Sequence, residues 1–296
     1  MTDTRWGIAP PSYRLPDATR LGPVRLMVSD LDRSIAFYED ILGLNASREG
    51  RTAALSAADG RVLVRLETQP GIRPSTPGSA LGLYHFALLL PSREALGRFL
   101  EHLARRGLRP GMADHLVSEA LYLSDPDGLG IEVYADRPRS SWQSHDRELA
   151  MATEPLDVRS VLAAGGGTAW DGMPAGSVMG HVHLHVGALD RAAAFYHAGL
   201  GLDKVVWSYP GALFLSAGGY HHHLGTNTWA RGSAPAADQA RLLSWDLLVP
   251  GADDVRAAAT SLDEAGFTAS ETADGLTAAD PWGTPLVIAA DRNQDR

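Results

Sequence analysis

Residues 22–44 read GPVRLMVSDLDRSIAFYEDILGL, and residues 180–202 read GHVHLHVGALDRAAAFYHAGLGL. Each copy opens with an alternating segment, which is the period of a strand. An acidic helix start follows, then an apolar face ending in Phe-Tyr and a glycine stop. An internal repeat at this separation sets the fold before any single residue does.

Two weaker copies follow the same plan. GLYHFALLLP (82–91) leads into a helix from Ser92 to Arg106, and LSWDLLVP (243–250) leads into a helix from Ala252 to Ala265. Short alternating segments with Gly-rich turns come after each helix. They are Ala53–Ser56 and Val62–Leu66, Ala120–Leu123 and Gly130–Tyr134, Leu213–Ser216 and Tyr220–Leu224, Leu276–Ala279 and Leu286–Ala289. The expected class is α+β: four βαβββ modules forming two cupped-sheet domains. Modules one and two make an N-terminal domain over 20–136, and modules three and four a C-terminal domain over 178–291. The stretch between, 137–177, is rich in Pro, Gly and Ser and contains Gly165-Gly166-Gly167. It reads as a linker with one short helix near Val158–Ala164.

The 296 residues suit two domains, and an apolar share of 45% is ample for their cores. A net charge of -9 argues against nucleic acid, because phosphate binding needs clustered Lys and Arg. There is no cysteine, so disulfides, thiolate nucleophiles and Cys-ligated zinc are excluded, and a metal would sit on His, Asp or Glu. No apolar run marks a signal peptide in Met1–Pro16 or a membrane span elsewhere, so no membrane partner and a cytoplasmic location are expected.

A curved sheet with one uncovered face leaves a cup, and the first and fourth strands of each module point residues into it. Five residues before the last apolar residue of the first strands stand Pro23, His85, His181 and Ser244. Four residues after the fourth-strand turn glycine stand Val64, Glu132 and Val287, while module three offers the run Tyr220 to His223. Metal-competent residues are thus concentrated in modules two and three. Two imidazoles and a carboxylate on one face make the facial triad of non-haem Fe(II) sites; Mn(II) suits the same ligands. A lone strand histidine is more often a surface or hydrogen-bonded residue than a ligand. It is the equivalence of His85 and His181 in a repeat, with Glu132 on a matching strand, that singles these three out. His183 and His185 share the face of His181 by period two. At least one of His221, His222 and His223 faces the cup. Trp142, Trp207 and Trp229 are aromatic enough to line a pocket, although core packing is the commoner role for each.

At these residues the chain resembles the vicinal oxygen chelate (glyoxalase/bleomycin resistance/extradiol dioxygenase) superfamily, over about Leu21 to Asp291. Within it the chain is most similar to bacterial catechol 2,3-dioxygenase-like proteins. The stretches that carry the resemblance are GLYHFALLLP, HLVSEALYLSDPDGLGIEVYADRPRSSW, MGHVHLHV and SAGGYHHHLGTNTWA. The resemblance implies metal ligands at His85, Glu132 and His181. It implies an acid/base His at His222, with His221 beside it, a substrate-contacting His at His115, and a substrate-contacting Tyr at Tyr122. The implied activity is extradiol cleavage of an aromatic diol by dioxygen at Fe(II). A glyoxalase-like isomerase or lyase would carry two carboxylates, where module three offers His221–His223. A non-catalytic binding protein of the same fold would hold no metal.

One feature departs from the usual extradiol pattern, in which the two metal-bearing modules are consecutive. Here they are modules two and three, on opposite sides of the linker. A single site forms only if these two modules face each other, within one chain or between subunits of a homo-oligomer.

Overall fold

The structure is a computed structural model and describes residues 6–230 and 232–291. Module one comprises β1 (Arg20–Val28), α1 (Leu31–Asp40), β2 (Asn45–Glu49), β3 (Thr52–Ser56) and β4 (Val62–Thr68). Module two comprises β5 (Gly82–Leu89), α2 (Arg93–Arg105), β6 (Gly111–Asp114), β7 (Ser118–Ser124) and β8 (Gly130–Asp136). The linker carries a two-residue hairpin, β9 (Ser144–His145) and β10 (Glu148–Leu149), and the helix α3 (Val158–Ala164). Module three comprises β11 (Val178–His185), α4 (Leu189–Ala192) continuing as a π-helical turn over Ala193–Gly199, β12 (Asp203–Val206), β13 (Ala212–Ser216) and β14 (Leu224–Asn227). Module four comprises β15 (Arg241–Val249), α5 (Ala252–Glu264), β16 (Ala269–Thr272), β17 (Gly275–Ala279) and β18 (Pro285–Ala290). Four βαβββ units are therefore present in chain order.

Helix starts follow local chemistry. Asp30 and Ser92 are extended residues whose side chains accept the backbone N–H of Arg33 and Ala95, satisfying donors that the first turn leaves free. Asp157 caps α3 in the same way.

The sheets do not follow chain order. One eight-stranded sheet runs β16-β17-β18-β15-β1-β4-β3-β2, and the other runs β12-β13-β14-β11-β5-β8-β7-β6. Each takes one module from either side of the linker. Modules two and three meet within one chain through the antiparallel pair β5–β11, and modules one and four through β1–β15. The linker is long enough to make the exchange, and α3 packs on α2. There Gly97 lies so close to the Val161 carbonyl and to Gly165 that a side chain at Gly97 would collide with backbone.

Strand periodicity divides the faces. In the second sheet Phe86, Leu88, Ile131, Val133, Val182 and Leu184 join the main core with Phe99 and Leu100 of α2. The alternate residues, His85, Ala87, Glu132, Tyr134, His181 and His183, take the opposite, cupped face. In the first sheet one assignment by spacing fails. Val64 lies in the core opposite Val24, because β4 is offset by one residue relative to β8; Arg65 and Glu67 take the other face. That face carries ion pairs of Arg25 with Glu67 and Asp274. Among the described residues no helix is long and apolar enough to cross a membrane.

Candidate metal centre

Ala87 organises the centre. It pairs with Glu132 across the parallel β5–β8 ladder and with His181 across the β5–β11 seam. Its methyl group leaves the space between them open, and His85, two residues earlier on β5, projects from the same face. The result is that ligand-capable atoms of His85, Glu132 and His181 all lie within 4.8 Å of one another. Glu132 Oε2 is 3.0 Å from His85 Nε2 and 3.1 Å from His181 Nε2. Bonds of about 2.1 Å at right angles to a common ion would separate donors by about 3 Å. This is the only such cluster among the described residues.

All three side chains are buried. Burial lowers the pKa of His85 and His181, outweighing the nearby Glu132 charge, so both imidazoles are neutral donors. Burial alone would raise Glu132, but the His181 and His85 rings outweigh it and hold the carboxyl well below its usual range. The donor set is thus two neutral nitrogens and one carboxylate. His85 Nδ1 and His181 Nδ1 have no hydrogen-bond partner among the described residues, and the Nε2 atoms of both rings face Glu132 Oε2. A buried imidazole held this way fits a ring whose nitrogen is reserved for an ion.

The centre opens into a cavity of about 370 Å³, within the range of small-molecule sites. Its walls include Met112, Met151, Tyr209, Phe214 and Trp229 together with the three clustered residues. Tyr84, His85 and Tyr122 also wall a second cavity of about 210 Å³ on the module-four side. Of the three tryptophans considered, Trp229 lines the larger cavity at 46% exposure, Trp142 belongs to a small satellite core, and Trp207 packs on the main core.

His115 and Tyr122 stand together on the cavity wall. His115 Nδ1 is 2.7 Å from the Ala152 carbonyl, which can only accept, so Nδ1 carries the proton. Nε2 therefore accepts from the Tyr122 hydroxyl at 2.6 Å. Burial and then the Glu132 charge push the Tyr122 pKa well above its ordinary value, so the hydroxyl keeps its proton.

The run Tyr220–His223 is not strand, as its alternation suggested. It is a loop, and β14 begins at Leu224. Gly218 and Gly219 both adopt left-handed backbone, which ends β13 and turns the chain. His223 Nδ1 accepts the Ala217 N–H at 3.2 Å and fixes the loop from behind. His222 lines the cavity with its ring 4.1 Å from that of His181. His221 turns away and reaches Asp136. On β11, His183 also lines the cavity, whereas His185 bonds Asn227 behind it.

Asp136 and Asn227 escaped the reading of the sequence, which had put His183 on the face of His181 without giving it a role. Period two was the available signal for Asp136, which lies four residues after Glu132 and hence on the same face of β8. Asn227 holds its neighbours in a fixed direction. Its Oδ1 accepts the Trp229 backbone N–H, which identifies the oxygen; Nδ2 then donates to His183 Nε2 at 2.9 Å.

Comparison with known proteins agrees with this architecture. Residues 20–133 and 178–286 match the model of the Glyoxalase/Bleomycin resistance protein/Dioxygenase superfamily. A protein of Bacillus subtilis (strain 168) named catechol-2,3-dioxygenase is 42% identical over 270 residues, covering 89% of this chain and 94% of that one. A crystal structure from Bacillus subtilis subsp. subtilis str. 168 superposes with TM-score 0.65 at 12% identity, covering 95% of this chain and 87% of that one. Glyoxalase I from Zea mays superposes with TM-score 0.54 at 16% identity, covering 92% of each chain. At such identities the structural likenesses show the fold alone.

Proposed function

The chain belongs to the Glyoxalase/Bleomycin resistance protein/Dioxygenase superfamily, and on that premise we propose that it is an extradiol ring-cleaving dioxygenase for a catechol-type diol, using dioxygen at a non-haem Fe(II) site. The observation that carries the reading is the convergence of His85, Glu132 and His181 donors within 4.8 Å at the floor of a cavity. Two imidazoles and one carboxylate on one face fit Fe(II), and Mn(II) is accepted by the same donors. The ion would supply Lewis acidity to a diol hydroxyl and open coordination positions on the cavity side.

The protein groups then have separate tasks. His222, with Nε2 buried and unpartnered, takes the proton of the diol hydroxyl and later returns it. Tyr122 and His115 form one rigid unit, and the free lone pairs of the Tyr122 oxygen orient the substrate hydroxyl. Phe214, Trp229, Met112 and Met151 give the ring an apolar wall. The glyoxalase-like alternative wants a second carboxylate, and at the register of Glu132 module three carries Gly225, which pairs with His183 as Glu132 pairs with Ala87.

Anaerobic reconstitution with Fe(II), followed by catechol and dioxygen, should yield a yellow ring-fission product. The His222→Ala variant should lose about 10²-fold or more in kcat. A ferrous protein inert to a broad catechol panel would sink the proposal, and full turnover by His222→Ala would remove His222 from it.

A further inference from the structure

The loop that carries His222 is wired to the opposite module. His222 Nδ1 and His221 Nδ1 lie 2.7 Å apart, and His221 Nε2 lies 2.9 Å from Asp136 Oδ1. Two ring nitrogens at that separation must share a single proton, since two lone pairs or two N–H groups would repel. The Asp136 end decides which ring owns it. A carboxylate only accepts, so His221 donates from Nε2. The Tyr220 hydroxyl donates to the same oxygen at 3.2 Å and itself accepts from Tyr134 at 2.7 Å. A neutral His221 then presents a lone pair at Nδ1, and the shared proton belongs to His222 Nδ1. Nε2 of His222 is left bare. It is buried, has no partner among the described residues, and its ring lines the cavity beside His181.

We propose that Asp136, acting through His221, is a positioning residue that fixes His222 as its Nδ1–H tautomer and so aims an unprotonated Nε2 at the substrate hydroxyl. The inference rests on reading His222 as the acid/base group. The proton leaves the diol oxygen for His222 Nε2. Nδ1–H of His222 can pass to His221 Nδ1, so that the positive charge rests on His221, 2.9 Å from the Asp136 carboxylate. Return of the proton to oxygen reverses the sequence, and no electron moves between these groups. His221 is fully enclosed, with the Trp142 ring 5.4 Å away and the Tyr220 ring 4.1 Å away. Solvent therefore does not compete for its nitrogens. Asp136 comes from module two and the histidine pair from module three, so the relay, like the metal cluster, exists only because these modules share a sheet.

The tautomers can be read directly. The full chain, labelled with ¹⁵N in its imidazoles and loaded with diamagnetic Zn(II), is examined by long-range ¹H–¹⁵N correlation. The expected wild-type spectrum has His222 protonated at Nδ1 and His221 at Nε2. In Asp136→Ala, His222 should move to a mixture containing Nε2–H, and kcat of the Fe(II) protein should fall about 10²-fold with KM little changed. A wild-type His222 protonated at Nε2 overturns the inference, and this measurement stands even if the variant does not fold. So does an Asp136→Ala variant that keeps the wild-type tautomer. A wild-type chain that forms no ring-fission product would defeat the dioxygenase reading, while the tautomer spectrum would still decide the relay.

Discussion

Glu132 Oε2 lies 3.1 Å from His181 Nε2, although 49 residues and the whole linker separate them in the chain. Both flank Ala87, whose side chain packs with Ala120 and Tyr134 in a small apolar cluster. Ala87→Leu would drive a branched side chain between the donors. The fold should survive at a cost of about 1–3 kcal/mol, as for other overpacked cores. Bound metal should fall to the level of Glu132→Ala, which removes a donor outright. Metal analysis of the purified variants beside a thermal melt checks this, and full metal occupancy in Ala87→Leu would contradict the role given to the alanine.

Gly225 lies flat against the His183 ring. A Cβ there would sit 2.8 Å from His183 Cγ and 2.9 Å from Nδ1. Gly225 is a β14 residue without left-handed backbone, so replacement by alanine would ordinarily stabilise the strand by about 0.5–1 kcal/mol. Here the opposite sign is expected. The ring is tethered to Asn227 and must tilt into the cavity, costing about 1–3 kcal/mol and raising KM about tenfold. Denaturant melts and steady-state kinetics test both parts. A more stable Gly225→Ala with an unchanged KM would show that His183 does not shape the cavity.

His223 should set part of the acid limit of the fold. Burial first, then the neighbouring His221, pushes its pKa down to about 3. A neutral histidine in the folded state that protonates near its ordinary value when unfolded gives the unfolded chain more bound protons between those two values. Stability from this residue is therefore complete above about pH 6.5 and lost as pH falls toward 3. At pH 4 the loss is about 3 kcal/mol relative to neutral pH. His223→Asn keeps an acceptor for the Ala217 N–H and removes the titration, so its stability should change less between pH 7 and pH 4 than that of the wild type. Urea melts at the two values measure the difference, and equal slopes for the two proteins would refute the assignment.

The legibility of these features in the sequence followed their physics. Periods of two and 3.6, caps at Asp30 and Ser92, and turn glycines are local, so the four modules and the helix at Val158–Ala164 could be placed in advance. The cupped face of β5, β8 and β11 was legible because a strand reports its two faces directly. Val64 was misplaced because spacing from a turn glycine counts residues and not register, and a one-residue offset exchanges the faces. The histidine run looked like strand because alternation in four residues does not distinguish a strand from a glycine-turned loop.

By itself, then, the sequence determined the modules and the three residues His85, Glu132 and His181, because strand periodicity and internal repetition are written along the chain. It also determined that no single site could form unless modules two and three paired. Only the tertiary structure decided that they do so within one chain. It also turned His221 toward Asp136, beside the His222 that the family resemblance had singled out. Those choices depend on which sheet edge meets which and on where each ring finds a partner, and neither is a property of any local stretch.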